Sequence, residues 1–206
     1  MRLILIRHGE TEENAGDVIQ GQIPGDLSRL GREQAAAIGA YLAGKSLDAV
    51  YASDLERAHL SALLALGEDH DRIVTDKRLR EQSFGVFEGE PVRVLLSKMR
   101  RQKADWDTFD PPGGETRAAL CARARAFFDE IAAEHGGETV VVFTHYGIIN
   151  TLLQALIDGG NSRDHDVANG SVTVLRTDGP LVSAEIVNDT AHLPVEAVSP
   201  TRLPRL

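Results

Sequence analysis

Cysteine is nearly missing from this chain: Cys121 stands alone among 206 residues. No intrachain disulfide can form, and zinc sites built from four cysteines are excluded. In a helical-looking stretch the lone thiol reads as a small core residue. Long apolar runs are missing too. No window approaches the roughly 20 apolar residues of a membrane-spanning helix. The run after Arg2 is short and is interrupted by Arg7, which does not fit a secretory signal. A reducing cytoplasm is the expected compartment, with no membrane partner. Positive charge is in deficit, with Lys and Arg at 22 against 31 Asp and Glu, for a net charge of −9. A broad phosphate-tracking surface is therefore not expected, and no nucleic-acid partner with it. Close-spaced His, Cys and carboxylate ligand sets are also lacking, so no metal or other cofactor is expected. An acidic protein that binds an anion must gather its cations in one pocket.

Two short apolar runs stand out. Leu3-Ile4-Leu5-Ile6 is bounded, β-rich and too short for a helix, and it ends in Arg7-His8-Gly9. Thr139-Val140-Val141-Val142-Phe143 repeats the pattern and ends in Thr144-His145-Tyr146-Gly147. Two buried strands that each deliver a histidine, with glycine close behind, place chemistry where α/β sheets bind ligands.

Between and around them strand and helix alternate. Helices are predicted from Ser28, as N-cap, to about Ala43 with Gly44 ending it, and from about Leu55 to Leu66 with Ser53 or Asp54 as cap. Further helices are predicted over Val92 to Lys103, Thr116 to Glu134 and Gly147 to Ile157. Short strands are predicted at Asp48 to Tyr51 and Arg72 to Thr75, and Ser171 to Arg176 pairs with Leu181 to Val187 through an Asp178-Gly179 turn. The tail with Pro194, Pro200 and Pro204 reads as peripheral. Alternation of this kind predicts a three-layer α/β/α sandwich around a mostly parallel sheet, formed by one domain over 1–206. Residues 81–113 break the rhythm with Gly85, Gly89 and Pro91, and a long excursion inside a compact domain reads as a lid over a site. Its basic run, Lys98, Arg100, Arg101 and Lys103, reads as a solvated helix face, and Trp106 as an anchor for the lid. Glu115 and Thr116 read as a helix cap.

Four segments converge on one sheet edge: Arg7 to Thr11 with Asn14, Gln20 and Gly21 downstream; Ser53 to Ala58 with Arg57 on a first helical turn; Leu79-Arg80-Glu81; and Thr144 to Gly147 at a strand-to-helix turn. Arginine forks match phosphoryl oxygens. A neutral imidazole can attack phosphorus and split one hard displacement into two easier ones. Nearby cations keep it unprotonated, and a carboxylic acid can protonate the leaving oxygen. The free N–H groups of the last turn favour an anion.

In these motifs the chain resembles the histidine phosphatase superfamily, the phosphoglycerate mutase-like group, in the branch with its catalytic histidine near the N-terminus. The matching stretches are RHGET at 7–11, QG at 20–21, SDLERA at 53–58, LREQSFGVFEG at 79–89, PPGGET at 111–116, THYG at 144–147 and NDTAHL at 188–193. The resemblance implies His8 as the phosphorylated nucleophile and Arg7, Arg57 and His145 as phosphate ligands. It implies Asn14 and Gln20 as supporting donors and Glu81 as the proton donor, with Gly21 and Tyr146 beside the substrate. Tyr146 stands where that family often has glycine. The segment after Glu81 is shorter than in cofactor-dependent mutases, and Arg100-Arg101 match poorly the arginine pair that grips a substrate carboxylate there. The implied activity is a metal-independent phosphatase acting on a small phosphorylated metabolite through phospho-His8. The alternatives are a phosphoglycerate mutase and a non-catalytic phospho-ligand binding module. The sequence allows a homodimer without requiring one. His59, His70, His135 and His165 show no partner in the sequence, and His192 reads as structural.

Overall fold

The computed structural model describes residues 1–67, 72–106, 108–159 and 165–195. Leu3 to Ile6 lie in strand β1 (Arg2–Arg7), and their side chains alternate between two buried faces. Leu3 and Leu5 join one core cluster, Ile4 and Ile6 the other. A strand covered on both sides has no place for polar residues, which is why the run is unbroken.

The chain continues through a one-turn helix α1 (Glu12–Ala15), α2 (Arg29–Leu42), β2 (Ala49–Ala52), α3 (Glu56–Leu66) and β3 (Ile73–Thr75). Then follow α4 (Val92–Gln102), α5 (Arg117–Glu134), β4 (Thr139–Thr144), α6 (Tyr146–Leu156), β5 (Val172–Asp178) and β6 (Leu181–Asp189). The sheet order is β3-β2-β4-β1-β5-β6. β1, β2, β3 and β4 are mutually parallel, while β5 and β6 form an antiparallel hairpin on β1. Leu120, Phe127 and Ile131 of α5 and Ile148 and Leu152 of α6 cover the Leu3 face. Ile38 and Leu42 of α2 and Ala62 of α3 cover the Ile4 face. The α/β/α layering expected from the alternation is what the structure has.

Local signals hold in part. Ser28 caps α2, its hydroxyl accepting from the Gly31 N–H at 3.0 Å. That helix ends at Leu42 with Ala43 as its C-cap, so Gly44 lies one residue beyond it. Its first turn presses on the loop after β1: a Cβ on Gly9 would sit 2.3 Å from the Gly31 carbonyl oxygen. Only glycine allows that approach. Neither Ser53 nor Asp54 caps α3; Leu55 holds the N-cap position without a side-chain bond. Both polar side chains have other partners, Ser53 at His145 and Asp54 in a two-pronged pair with Arg80. Thr116 caps α5 as expected, but Glu115 pairs with Arg123 instead of sharing the cap. The tail beyond 195 lies outside the described residues.

Residues 81–113 carry a small core of their own, in which Ile19 meets Phe87, Leu95, Leu96, Met99 and Phe109. Phe84, Val92 and Trp106 pack on it partly buried. Backbone bonds from Val92 to Asp17 and from Ile19 to Glu90 stitch this excursion to the loop after α1. It therefore borders the C-terminal edge of the sheet.

Candidate active site

Parallel pairing sets the site. Arg7 at the end of β1 lies opposite Thr144 at the end of β4, so the two following residues, His8 and His145, leave the sheet side by side. Their ring centroids are 5.0 Å apart, tilted by 60°. β2, the other neighbour of β4, releases Ser53 and then the first turn of α3, which carries Arg57. Arg7, His8, Arg57 and His145 are all buried.

Each of these side chains is held at one end. His8 Nδ1 lies 2.7 Å from the Gly9 carbonyl oxygen. A carbonyl only accepts, so the ring hydrogen of the neutral imidazole is on Nδ1 and the lone pair is on Nε2. Arg7 donates from Nη1 to the Val167 carbonyl at 2.5 Å. Arg57 donates to the Gly21 carbonyl at 2.6 Å and to that of Ile23 at 3.2 Å. His145 Nε2 meets the Ser53 hydroxyl at 2.9 Å. The other ends have no protein partner: Arg7 Nε, Arg57 Nε and His145 Nδ1 are buried and unbonded among the described residues. A buried N–H without an acceptor is costly. Two such guanidinium N–H groups and His145 Nδ1, gathered with one imidazole, can cage an oxyanion.

Burial holds His8 well below the usual 6.5, with the Arg57 and Arg7 charges adding to it and the Gly9 carbonyl opposing. The cations expected to keep this ring neutral come second; desolvation is the larger cause. His145 is lowered in the same way, by burial first and then by Arg57. Burial also brings Arg7 and Arg57 down to about 10, against the raising effect of Glu81. Both guanidiniums stay charged near neutrality.

The remaining expected residues, Asn14, Gln20, Gly21, Glu81 and Tyr146, line a cleft of about 230 Å3 together with Arg7, His8 and Arg57. Glu81 accepts from the Gly147 N–H at 3.1 Å and from the Gln82 N–H at 2.8 Å. So one of the turn N–H groups that was expected to face an anion holds this carboxylate instead. A Cβ at Gly147 would fall 2.1 Å from Glu81 Oε1, so a larger residue there would push the carboxylate end aside. Asn14 closes a capping box with Thr11 on α1, and its Oδ1 also accepts from Asn169 at 3.1 Å. Gln20 bonds to Thr11 and Glu13, so its amide braces the loop. The Tyr146 ring lies 5.4 Å from the Arg7 guanidinium carbon.

Asn169, not among the residues expected from the motifs, is buried and donates to the His8 carbonyl at 3.2 Å. The only signal was the Asn169-Gly170 turn pair ahead of β5. Ser53 stood inside a quoted motif without a role of its own. From the excursion Phe84, Val92, Leu95 and Trp106 reach the cleft; Lys98, Arg100, Arg101 and Lys103 do not and are exposed. The basic run is a solvated face, as expected. Among the other histidines, His135 meets Tyr51 and Glu138, and His165 meets Asp158 at 2.7 Å, partners that sequence spacing did not show. His192 is bonded to the Gly170 carbonyl, a structural role, and His70 lies outside the described residues. No helix among the described residues is long and apolar enough to cross a membrane.

An uncharged imidazole inside a cage of guanidinium and imidazole donors, at the carboxyl edge of a parallel sheet, defines a phosphoryl-handling α/β protein. The chain belongs to the histidine phosphatase superfamily, whose branch 1 family model matches residues 3–190. Over 168 residues it is 36% identical to glucosyl-3-phosphoglycerate phosphatase of Mycobacterium tuberculosis, covering 76% of this chain and 75% of that one. Among solved structures, YhfR of Bacillus stearothermophilus superposes with a TM-score of 0.83 at 31% identity, over 93% of this chain and 98% of that one. The mycobacterial glucosyl-3-phosphoglycerate phosphatase in complex with VO3 superposes at 0.79 and 30%, over 92% and 99%.

Proposed function

We propose that this chain hydrolyses the phosphate ester of a small metabolite through a phosphohistidine on His8. One observation carries the reading: three buried N–H groups without protein acceptors surround an imidazole whose lone pair is on Nε2. In the first half-reaction Nε2 attacks phosphorus and the bond from phosphorus to the ester oxygen breaks. The leaving alkoxide takes its proton from the Glu81 carboxylic acid, 3.1 Å from the Gly147 N–H. Arg7 Nε, Arg57 Nε and His145 Nδ1 donate to the phosphoryl oxygens as charge moves onto them. The Ser53 hydroxyl, which also accepts from the Leu55 N–H at 3.2 Å, gives its hydrogen to His145 Nε2. That leaves the ring hydrogen on Nδ1, facing the anion. In the second half-reaction water attacks the phosphohistidine, Glu81 takes the proton of the water, and inorganic phosphate leaves His8 neutral again.

The relatives support a small phosphorylated substrate, one of them named for a phosphoglycerate glucoside and one solved with VO3, a phosphate-like oxyanion. The excursion over 81–113, with Trp106 and Leu95 at the cleft, acts as the lid in this reading. Exposure of Arg100 and Arg101 outside the cleft weighs against the carboxylate grip of a mutase. A reducing cytoplasm suits the single free cysteine. The test is turnover of a 32P-labelled ester, quenched in alkali and mapped by peptide. Label on His8, with no phosphate release by His8→Ala and an unchanged rate in EDTA, is expected; an unlabelled His8 overturns the reading.

A further inference from the structure

The carboxylate proposed as proton donor sits on irregular backbone. Residues 81–84 form neither helix nor strand, so the carbonyl groups around them have no ladder to bond to. Part-buried carbonyls of that kind must be satisfied from elsewhere. One side chain takes three of the carbonyls leading into this stretch, sharing that of Glu81 with Gln22 Nε2 at 3.0 Å. Arg123, on the second turn of α5, donates from Nη1 to the carbonyls of Arg78 at 2.7 Å and Arg80 at 2.6 Å, and from Nη2 to that of Glu81 at 3.0 Å. Its other donors meet Glu115, Nε at 2.6 Å and Nη2 at 2.7 Å. All five N–H bonds of the guanidinium are thereby used, in the plane that only arginine offers. Thr144, at the end of β4, takes the carbonyl left between them, that of Leu79, at 2.8 Å.

We propose that Arg123, locked in a two-pronged pair with Glu115, is a positioning residue that holds the Arg78–Glu81 backbone and so aims the Glu81 carboxyl at the ester oxygen. Glu115 is tied into the same strap, its N–H bonded to the Ser83 carbonyl at 2.8 Å and its carbonyl to Gln82 Nε2 at 2.9 Å. The pair therefore fastens the start of the excursion to α5, which is anchored in the core by Leu120, Ala124 and Phe127. Arg123 does not line the cleft; its hydrogen bonds reach the site through the Glu81 backbone, and its charge also acts on His145. The inference rests on Glu81 being the acid.

Leaving-group dependence separates a misplaced acid from a loosened fold. Expelling an alkoxide needs a proton, whereas p-nitrophenolate leaves almost unaided. The experiment measures kcat/KM, which covers the steps through alcohol release, for p-nitrophenyl phosphate and for glycerol phosphate with wild type, Glu81→Gln, Arg123→Lys and the double variant. Glu81→Gln is expected to lose about a hundredfold or more on the alkyl ester and under tenfold on the aryl ester. Arg123→Lys is expected to show the same skew, and the double variant to fall no further than Glu81→Gln. An equal loss on both esters for Arg123→Lys, or no loss, overturns the positioning role while leaving the acid in place. An equal loss for Glu81→Gln overturns the acid assignment and this inference with it. Should Arg123→Lys not fold, Glu115→Gln, which breaks the two-pronged pair and keeps Arg123, must give the skew or the inference is overturned.

Discussion

Acidification should destabilise this protein through the two imidazoles of the candidate active site, and the size of the effect can be worked out. His8 and His145 are both buried and both held neutral well below 6.5, by desolvation first and by the arginine charges second. In the unfolded chain each takes up a proton with a pKa of about 6.5. Below that pH the unfolded state binds more protons than the folded one, so stability falls as pH falls, and the full stability is present above it. Between pH 7.5 and 5.5 each imidazole then costs up to about 1.4 kcal/mol, or up to about 3 kcal/mol for the pair. That is a large part of the roughly 5–15 kcal/mol that holds a domain together. Urea unfolding at fixed salt across that range measures it. His8→Asn removes one of the two proton sites and should shrink the loss by up to about 1.4 kcal/mol. His145→Asn should do the same, and the double variant should lose both increments. All other side chains are common to the four proteins, so their contributions cancel in the differences. An identical pH dependence for wild type and His8→Asn would refute the claim that folding keeps this ring uncharged.

The catalytic pH profile follows from the same groups. Because His8 is neutral well below 6.5, its own titration should produce no fall in kcat/KM for p-nitrophenyl phosphate between pH 7 and 6. Activity should decline on the alkaline side as Arg7 and Arg57 lose their charge near about 10, which stopped-flow assays on pH jumps can follow. Arg57→Lys should lower kcat/KM by about a hundredfold, since one ammonium cannot both bond the Gly21 carbonyl and reach the phosphoryl group. Gly147→Ala places a methyl 2.1 Å from Glu81 Oε1 and should cut alkyl-ester hydrolysis by about a hundredfold while the melting temperature moves little. Phe127→Ala, in the α5 core with its ring edge-on to Tyr51 at 5.5 Å, should cost about 3–5 kcal/mol in urea unfolding.

Much of this was open to inspection in the order of residues. Apolar runs at 3–6 and 139–143 announce strands covered on both faces, because the burial of both faces removes the polar alternation. The histidines after them are adjacent in the sheet because β1 and β4 pair in parallel and in register, which two similar strands with similar endings already hint at. Ser28 and Thr116 reveal their helix starts by local bonding alone. Ser53 and Asp54 mislead for the opposite reason: a cap is a weak local preference, and a buried imidazole and an arginine fork displaced it.

What composition and motif order determined here is the layering, the sheet edge that carries chemistry and the identity of the groups gathered there. These depend on periodicity and on residue type, which a linear chain displays. The tertiary structure alone decided which atom of each group is left without a partner, why His8 is uncharged, and that Gly147 holds Glu81. It alone showed a guanidinium on α5 gripping the backbone below that acid. Such facts are set by burial and by contacts between residues far apart in sequence, Arg123 to Arg78 or Asn169 to His8. No spacing along the chain encodes a distance that exists only once the sheet and its covering helices have closed.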